Sequence, residues 1–132
     1  MKLYEKKISS KQIFDGKIVK LFVDEVELPN GQIATREIVR HPGAVCVVPL
    51  TNEGEVVMVK QFRYPFSEVL LEVPAGKLEK GEDPLEAVKR ELEEESGVNA
   101  GNIEYIGTMY TTVAILDEKI AVLDSVDKNF GP

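Results

Sequence analysis

The reading of this chain turns on Gly76-Lys77-Leu78-Glu79-Lys80-Gly81-Glu82-Asp83-Pro84-Leu85-Glu86-Ala87-Val88-Lys89-Arg90-Glu91-Leu92-Glu93-Glu94-Glu95-Ser96-Gly97-Val98. Within it the hydrophobic period changes from about two to about 3.6. Asp83 suits an N-cap, Pro84 suits the first helical position, where its missing N–H leaves no bond unmade, and Gly97 suits the position just past a helix end. The spacing predicts a helix over 84–96. At about 100° per residue, Leu85, Val88 and Leu92 form a core-facing stripe about 60° wide. Glu91, Glu94 and Glu95 stand at i, i+3 and i+4, so their carboxylates leave the helix on one side, with Glu95 near the rim of the core. Together with Glu93 they form a run of acids that repels itself. It is either a solvated helix face or a site where a cation offsets the charge, and hard ions such as Mg2+ take oxygen ligands of this kind.

Upstream, Glu68 to Val73 reads as extended, and Pro74-Ala75-Gly76 breaks it and opens a polar loop through Gly81. Gly43 to Leu50 is nearly all apolar, which predicts a strand buried on both faces. Asn52-Glu53-Gly54 then turns the chain into an extended run from Glu55 to Phe62. Nearer the N-terminus, Pro29-Asn30-Gly31 separates residues 17–28 from 32–41. Asn and Gly both tolerate positive φ, so these two segments are expected to pair as a hairpin. Beyond the helix, Asn99 and Asn102 read as turn residues. Ile103 to Thr111 and Lys119 to Leu123 read as strands joined by a turn containing Asp117-Glu118. One helix among about seven strands is an α+β fold with mixed sheets, the helix lying on a sheet face or between sheets.

The chain of 132 residues is 43% hydrophobic and 30% charged, which suits one soluble domain with its own core and excludes a low-complexity or disordered segment. A net charge of -7 argues against a surface built for nucleic acid or anionic lipid, so an anionic substrate would need local arginines or a metal. The single Cys46 lies in an apolar run, reads as a buried inert thiol and can form no intrachain disulfide, which fits a reducing cytoplasm. No stretch approaches a membrane span and none resembles a signal peptide. His41, the only histidine, reads as a turn residue rather than a general base.

The segment 76–98 resembles the Nudix box without departure: Gly, five residues, Glu, seven residues, Arg-Glu, an aliphatic, any residue, Glu-Glu, any residue, Gly, an aliphatic. The resemblance implies an α/β/α sandwich with mixed sheets and a metal-dependent pyrophosphohydrolase in the cytoplasm. It implies Glu91 and Glu95 as principal ligands of Mg2+ (or Mn2+), Glu94 as a further or water-mediated ligand, and the Ala75 carbonyl as a backbone ligand. Arg90 is implied to pair with acids of the box such as Glu82 and so hold the loop on the helix. Further runs, His41-Pro42-Gly43-Ala44-Val45, Val59-Lys60-Gln61-Phe62-Arg63-Tyr64-Pro65 and Leu71-Glu72-Val73-Pro74-Ala75-Gly76, are similar to the ADP-ribose pyrophosphatase branch. That branch implies Arg36 and Arg63 on substrate phosphate or ribose and Glu72 at the nucleobase end. It also implies a homodimer built through a β-rich segment, residues 1–41, beside a core over 42–132. The expected reaction is hydrolysis of ADP-ribose to AMP and ribose 5-phosphate.

Two departures stand out. Where the branch has Pro and Gly in a loop carrying a catalytic Glu, this chain has Val113 and Ala114. Glu118 is then the nearby glutamate able to act as general base or extra ligand. The chain also stops at Gly131-Pro132, where members of the branch continue through a strand and a C-terminal helix, so it reads as a short variant or a truncated product. The rival readings are a pyrophosphatase for another nucleoside diphosphate sugar and a nucleotide-binding module that keeps the metal helix without turnover.

Overall fold

Pairing of backbone groups begins at the N-terminal end. In the computed structural model, which describes residues 2–96 and 102–126, strands β1 (Lys6–Asp15), β2 (Lys20–Glu27) and β3 (Ile33–Arg40) form an antiparallel meander in the order β1-β2-β3. The expected pairing of β2 with β3 is present, from Lys20 opposite Arg40 to Glu27 opposite Ile33. Its turn differs in one respect. Gly31 alone takes positive φ, 87°, and its N–H donates to the Leu28 carbonyl at 2.8 Å, while Gln32 N–H donates to Asn30 Oδ1 at 3.0 Å. The connection is therefore a four-residue turn closed by a left-handed glycine rather than a two-residue Asn-Gly turn. Strand β1 was not expected. Its sequence, Lys6-Lys7-Ile8-Ser9-Ser10-Lys11-Gln12-Ile13-Phe14-Asp15, carries no alternation because every one of its residues is exposed, and its register against β2 shifts twice.

The chain divides into two compact units. The first is the segment up to His41 with Tyr110–Glu118, and the second is Pro42–Met109 with the chain from Lys119 onward. In the first, the return segment is held to β3 by Val39 N–H to the Ile115 carbonyl (2.7 Å) and Asp117 N–H to the Val39 carbonyl (3.2 Å).

In the second unit, β4 (Ala44–Leu50) lies parallel to β9 (Lys119–Val126) and antiparallel to β7 (Ala75–Lys77), and β8 (Asn102–Tyr110) completes the sheet in the order β7-β4-β9-β8. Three expectations are corrected here. Ala75 and Gly76, read as the opening of a loop, form the edge strand β7. Asn102, read as a turn residue, opens β8, while Asn99 lies outside the described residues. Strand β4 is buried mainly on one face. Val45, Val47 and Pro49 are buried on one face, whereas on the other Ala44 is buried and Cys46, Val48 and Leu50 are only partly so. The Cys46 thiol is pushed up by that partial burial. The expected run 55–62 shortens to β5 (Val59–Arg63), which pairs antiparallel with β6 (Glu68–Glu72) as a separate hairpin. The described residues thus hold nine strands rather than about seven.

Helix α1 (Pro84–Ser96) has the expected bounds, and its first turn closes with Ala87 N–H donating to the Asp83 carbonyl at 3.0 Å. It packs on the sheet through a core of Val45, Val47, Ala87, Val88, Leu92 and Leu123, with Leu78, Ile103 and Ala121 around it. Each large apolar side chain buried there contributes about 1.5–3 kcal/mol relative to exposure. The buried face is offset from the expected stripe. It runs from Ala87 through Glu91 and Val88 to Leu92, about 140° at 100° per residue, and Leu85, just past its margin, is 37% exposed. The offset brings Glu91 onto β7, where its carboxylate takes the space that a Cβ at Gly76 would fill.

Candidate active site

The loop before α1 is closed on itself and fastened to the helix through Glu82. Glu82 N–H donates to the Glu79 carbonyl at 2.9 Å, Glu79 N–H donates back to Glu82 Oε1 at 3.1 Å, and Gly81 takes the φ of 79° that this turn requires. From two turns along the helix Arg90 reaches back as a fork, Nε 3.2 Å from Glu82 Oε2 and Nη2 3.1 Å from Glu82 Oε1. The Arg90 guanidinium, with help from the Glu79 N–H, holds the Glu82 carboxyl below the usual carboxylate range. The remaining Nη1 lies 3.0 Å from Glu91 Oε1 and 3.6 Å from Glu94 Oε2.

Glu91 is acidic and buried, 8% exposed, and Asp24 in the other unit is buried as well. Burial pushes its carboxyl up, opposed by Arg90 and reinforced by the nearby Glu94. Its carboxylate lies flat on the backbone of Gly76: a Cβ there would stand 2.0 Å from Oε1 and 2.2 Å from Cδ. Beside Gly76 in β7, Ala75 has the opposite ladder parity. Val47 N–H bonds to the Pro74 carbonyl and Leu78 N–H to the Gly43 carbonyl, so residues 74, 76 and 78 face β4, and Ala75 turns its carbonyl to the open sheet edge. Among the described residues, the oxygen donors in this neighbourhood include the carboxylates of Glu91 and Glu94, that of Glu82 on the same Arg90, and the Ala75 carbonyl. The cradle that only glycine leaves for a carboxylate, and a donor set made of hard oxygens, fit a divalent ion of the Mg2+ type. Among the described residues no three His, Cys, Asp or Glu side chains stand as a ready metal cluster. Glu91 turns toward Arg90 and Glu94 is exposed. Glu95 has its backbone in the last turn of α1 and its side chain outside the described residues.

The arginines singled out in the sequence are already engaged by carboxylates. Arg63 Nε donates to Glu72 Oε2 at 2.6 Å and its Nη2 also bonds Glu72, so two residues assigned to different ends of a substrate are joined across the β5–β6 hairpin. In the other unit Arg36 forks onto Glu5, with Nε to Oε1 and Nη2 to Oε2 both 2.9 Å. A phosphate ligand on either arginine would take the place of a carboxylate. Glu118 is paired as well, with His41 Nε2 3.3 Å from Glu118 Oε2. The sequence reading missed both this pair and the contact of Gly76 with Glu91. The first pair lies 77 positions apart with no periodicity to link it; for the second, the one signal is that Gly76 and Glu91 are both specified positions of the box.

Comparison with known proteins gives this geometry its class. A family model described as the NUDIX domain matches residues 40–123, and one described as the nucleoside diphosphate sugar hydrolase N-terminal domain matches residues 5–39. The chain belongs to the Nudix family, whose hydrolases generally need a divalent metal. Its relatives include the ADP-ribose pyrophosphatase of Bacillus subtilis (strain 168), 52% identical over 91% of this chain and 65% of that protein. They also include the methanol dehydrogenase activator of Bacillus methanolicus, 54% identical over 90% of this chain and 65% of that protein. The chain thus spans 65% of the length of each of these two relatives. A crystal structure of an ADP compounds hydrolase superimposes with a TM-score of 0.86 over the whole of this chain and 76% of that one; at 18% identity the likeness establishes the fold. No helix among the described residues is long and apolar enough to cross a membrane.

Proposed function

We propose that this protein is a divalent-cation-dependent pyrophosphohydrolase of nucleoside diphosphate sugars, and that ADP-ribose, cleaved to AMP and ribose 5-phosphate, is its substrate. The observation that carries the reading is the buried Glu91 carboxylate seated on the Gly76 backbone, next to the outward carbonyl of Ala75. A charged side chain is retained in a place where burial opposes its ionisation, which fits a site built for a cation. The Bacillus subtilis relative, named an ADP-ribose pyrophosphatase, supports the substrate.

Glu91, Glu94, Glu95 and the Ala75 carbonyl would hold the ion, with Mg2+ preferred and Mn2+ suited to the same oxygens. When bound, the ion supplies Lewis-acid polarisation of a phosphoryl oxygen and makes a coordinated water more acidic. Arg90 keeps the entry loop on α1 and orients Glu91. Arg36 and Arg63 would bind phosphate or ribose and Glu72 the nucleobase end, each releasing its present partner. Glu118 would take the proton from the attacking water as its oxygen bonds phosphorus and the bridging P–O bond breaks. The β-rich N-terminal segment would pair two copies into a homodimer.

The test is AMP release from ADP-ribose with and without Mg2+, run beside the Glu95→Gln protein. The expected outcome is AMP only with metal and intact Glu95; release of other nucleoside monophosphates from a substrate panel, with ADP-ribose inert, would move the assignment to another sugar nucleotide. The name of the Bacillus methanolicus relative favours a second reading, action on a dehydrogenase. Stimulation of a methanol dehydrogenase by the Glu95→Gln protein, which is expected to release no AMP, would favour it.

A further inference from the structure

We infer that His41 is a positioning residue that fixes the carboxylate of Glu118; this rests on the reading of Glu118 as the general base. The end of β3 and the return segment before β9 are joined twice through the backbone, at Val39 N–H to Ile115 O and Asp117 N–H to Val39 O. The side chain of Asp117 adds a third tie, accepting His41 N–H on Oδ1 at 2.6 Å, while its Oδ2 lies 3.6 Å from Arg40 Nη1. These ties fix the backbone on the N-terminal side of Glu118 and leave the side chain torsions of that residue to be set. His41 sets them. Its Nε2 stands 3.3 Å from Glu118 Oε2, within reach of an N–H···O bond from either the protonated ring or the Nε2–H tautomer.

Shielding separates this pair from the surface pairs around it. The side chains of His41 and Glu118 are 14% and 18% exposed, against 41% and 40% for Arg36 and Glu5 in the same unit. An exposed pair contributes little and holds no geometry, whereas a shielded one restricts the carboxylate plane. A carboxylate anchored through one oxygen presents the other in a defined direction, which is what proton abstraction from a water needs. The pair also gives the lone histidine a task that its sequence neighbourhood did not suggest.

The test is the steady-state kinetics of ADP-ribose hydrolysis for His41→Ala, His41→Gln, His41→Asn and Glu118→Gln, and for His41→Ala combined with Glu118→Gln. Gln places an amide N–H about where the imidazole Nε2 stands, and Asn does not reach. We expect His41→Ala to lower kcat about ten-fold with KM within about two-fold. His41→Gln should recover most of that loss and His41→Asn should not. In the Glu118→Gln background His41→Ala should add no further loss, because two groups acting as one unit are not additive. An equal loss in both backgrounds, or a KM effect with kcat unchanged, would overturn the inference. If Glu118→Gln is impaired and His41→Ala is not, the inference alone fails; if Glu118→Gln is fully active, the general-base reading fails and the inference with it.

Discussion

Glu91 and Gly76 form the smallest unit of the proposed site, a carboxylate and the bare backbone it lies on. Glu91→Gln keeps the shape and removes the charge. We expect turnover to fall at least about 100-fold, the scale of several kcal/mol of transition-state stabilisation. The thermal midpoint should be unchanged or raised, because ionised Glu91 is held against the tendency of burial to neutralise it. A melting curve beside an AMP-release assay checks both parts, and a large fall in midpoint with activity kept would refute them. Gly76→Ala puts a methyl where the Glu91 carboxylate now sits, 2.0 Å from Oε1. The carboxylate is the far end of a flexible side chain and will swing away. The expected result is a loss of turnover of about ten-fold or more with stability reduced by no more than about 1–2 kcal/mol.

At the scale of elements, the β5–β6 hairpin carries its own charge clamp. The Arg63 guanidinium holds the Glu72 carboxyl below the usual carboxylate range. A depressed carboxylate contributes stability that is present above its ordinary pKa and lost as pH falls through the lowered value. The Arg63 side chain is 46% exposed, so solvent screening limits the contribution to under about 1 kcal/mol. Glu72→Gln should therefore be slightly less stable than the parent at pH 7, with the difference closing as the pH falls into the strongly acidic range. Denaturant midpoints at several pH values check this, and a difference that grows on acidification would show that the pair does not act this way.

At the scale of the whole molecule, the outermost strand of the N-terminal sheet is exposed along its whole length. Strand β1 is a ten-residue edge in which Ile8, Ile13 and Phe14 are about half exposed. A long unpaired edge with apolar side chains is a template for another chain. Sedimentation at micromolar concentration is expected to show a dimer, and a monomer there would count against the proposed homodimer. A chelator such as EDTA is expected to abolish AMP release and added Mg2+ to restore it; activity that survives exhaustive chelation would remove the cation from the proposed function.

What the sequence determined by itself were the features written in local chemistry. Asp83 and Pro84 marked the start of α1 because capping and a fixed φ act within one turn. Asn30-Gly31 marked where the chain reverses and so which segments pair as β2 and β3, though not the type of turn that joins them, and the box spacing marked the acids of α1. Tertiary structure decided the rest. It turned Ala75-Gly76 from loop to edge strand because β4 offered an open ladder, and it rotated the buried face of α1 toward Ala87 and Glu91, whose carboxylate takes the space that Gly76 leaves. It formed β1 from a segment with no alternation because backbone pairing with β2 needs no buried side chains. It also joined His41 to Glu118, 77 positions apart, and Arg63 to Glu72 across the β5–β6 hairpin, since such contacts are set by where the backbone returns and leave no period in the sequence to read.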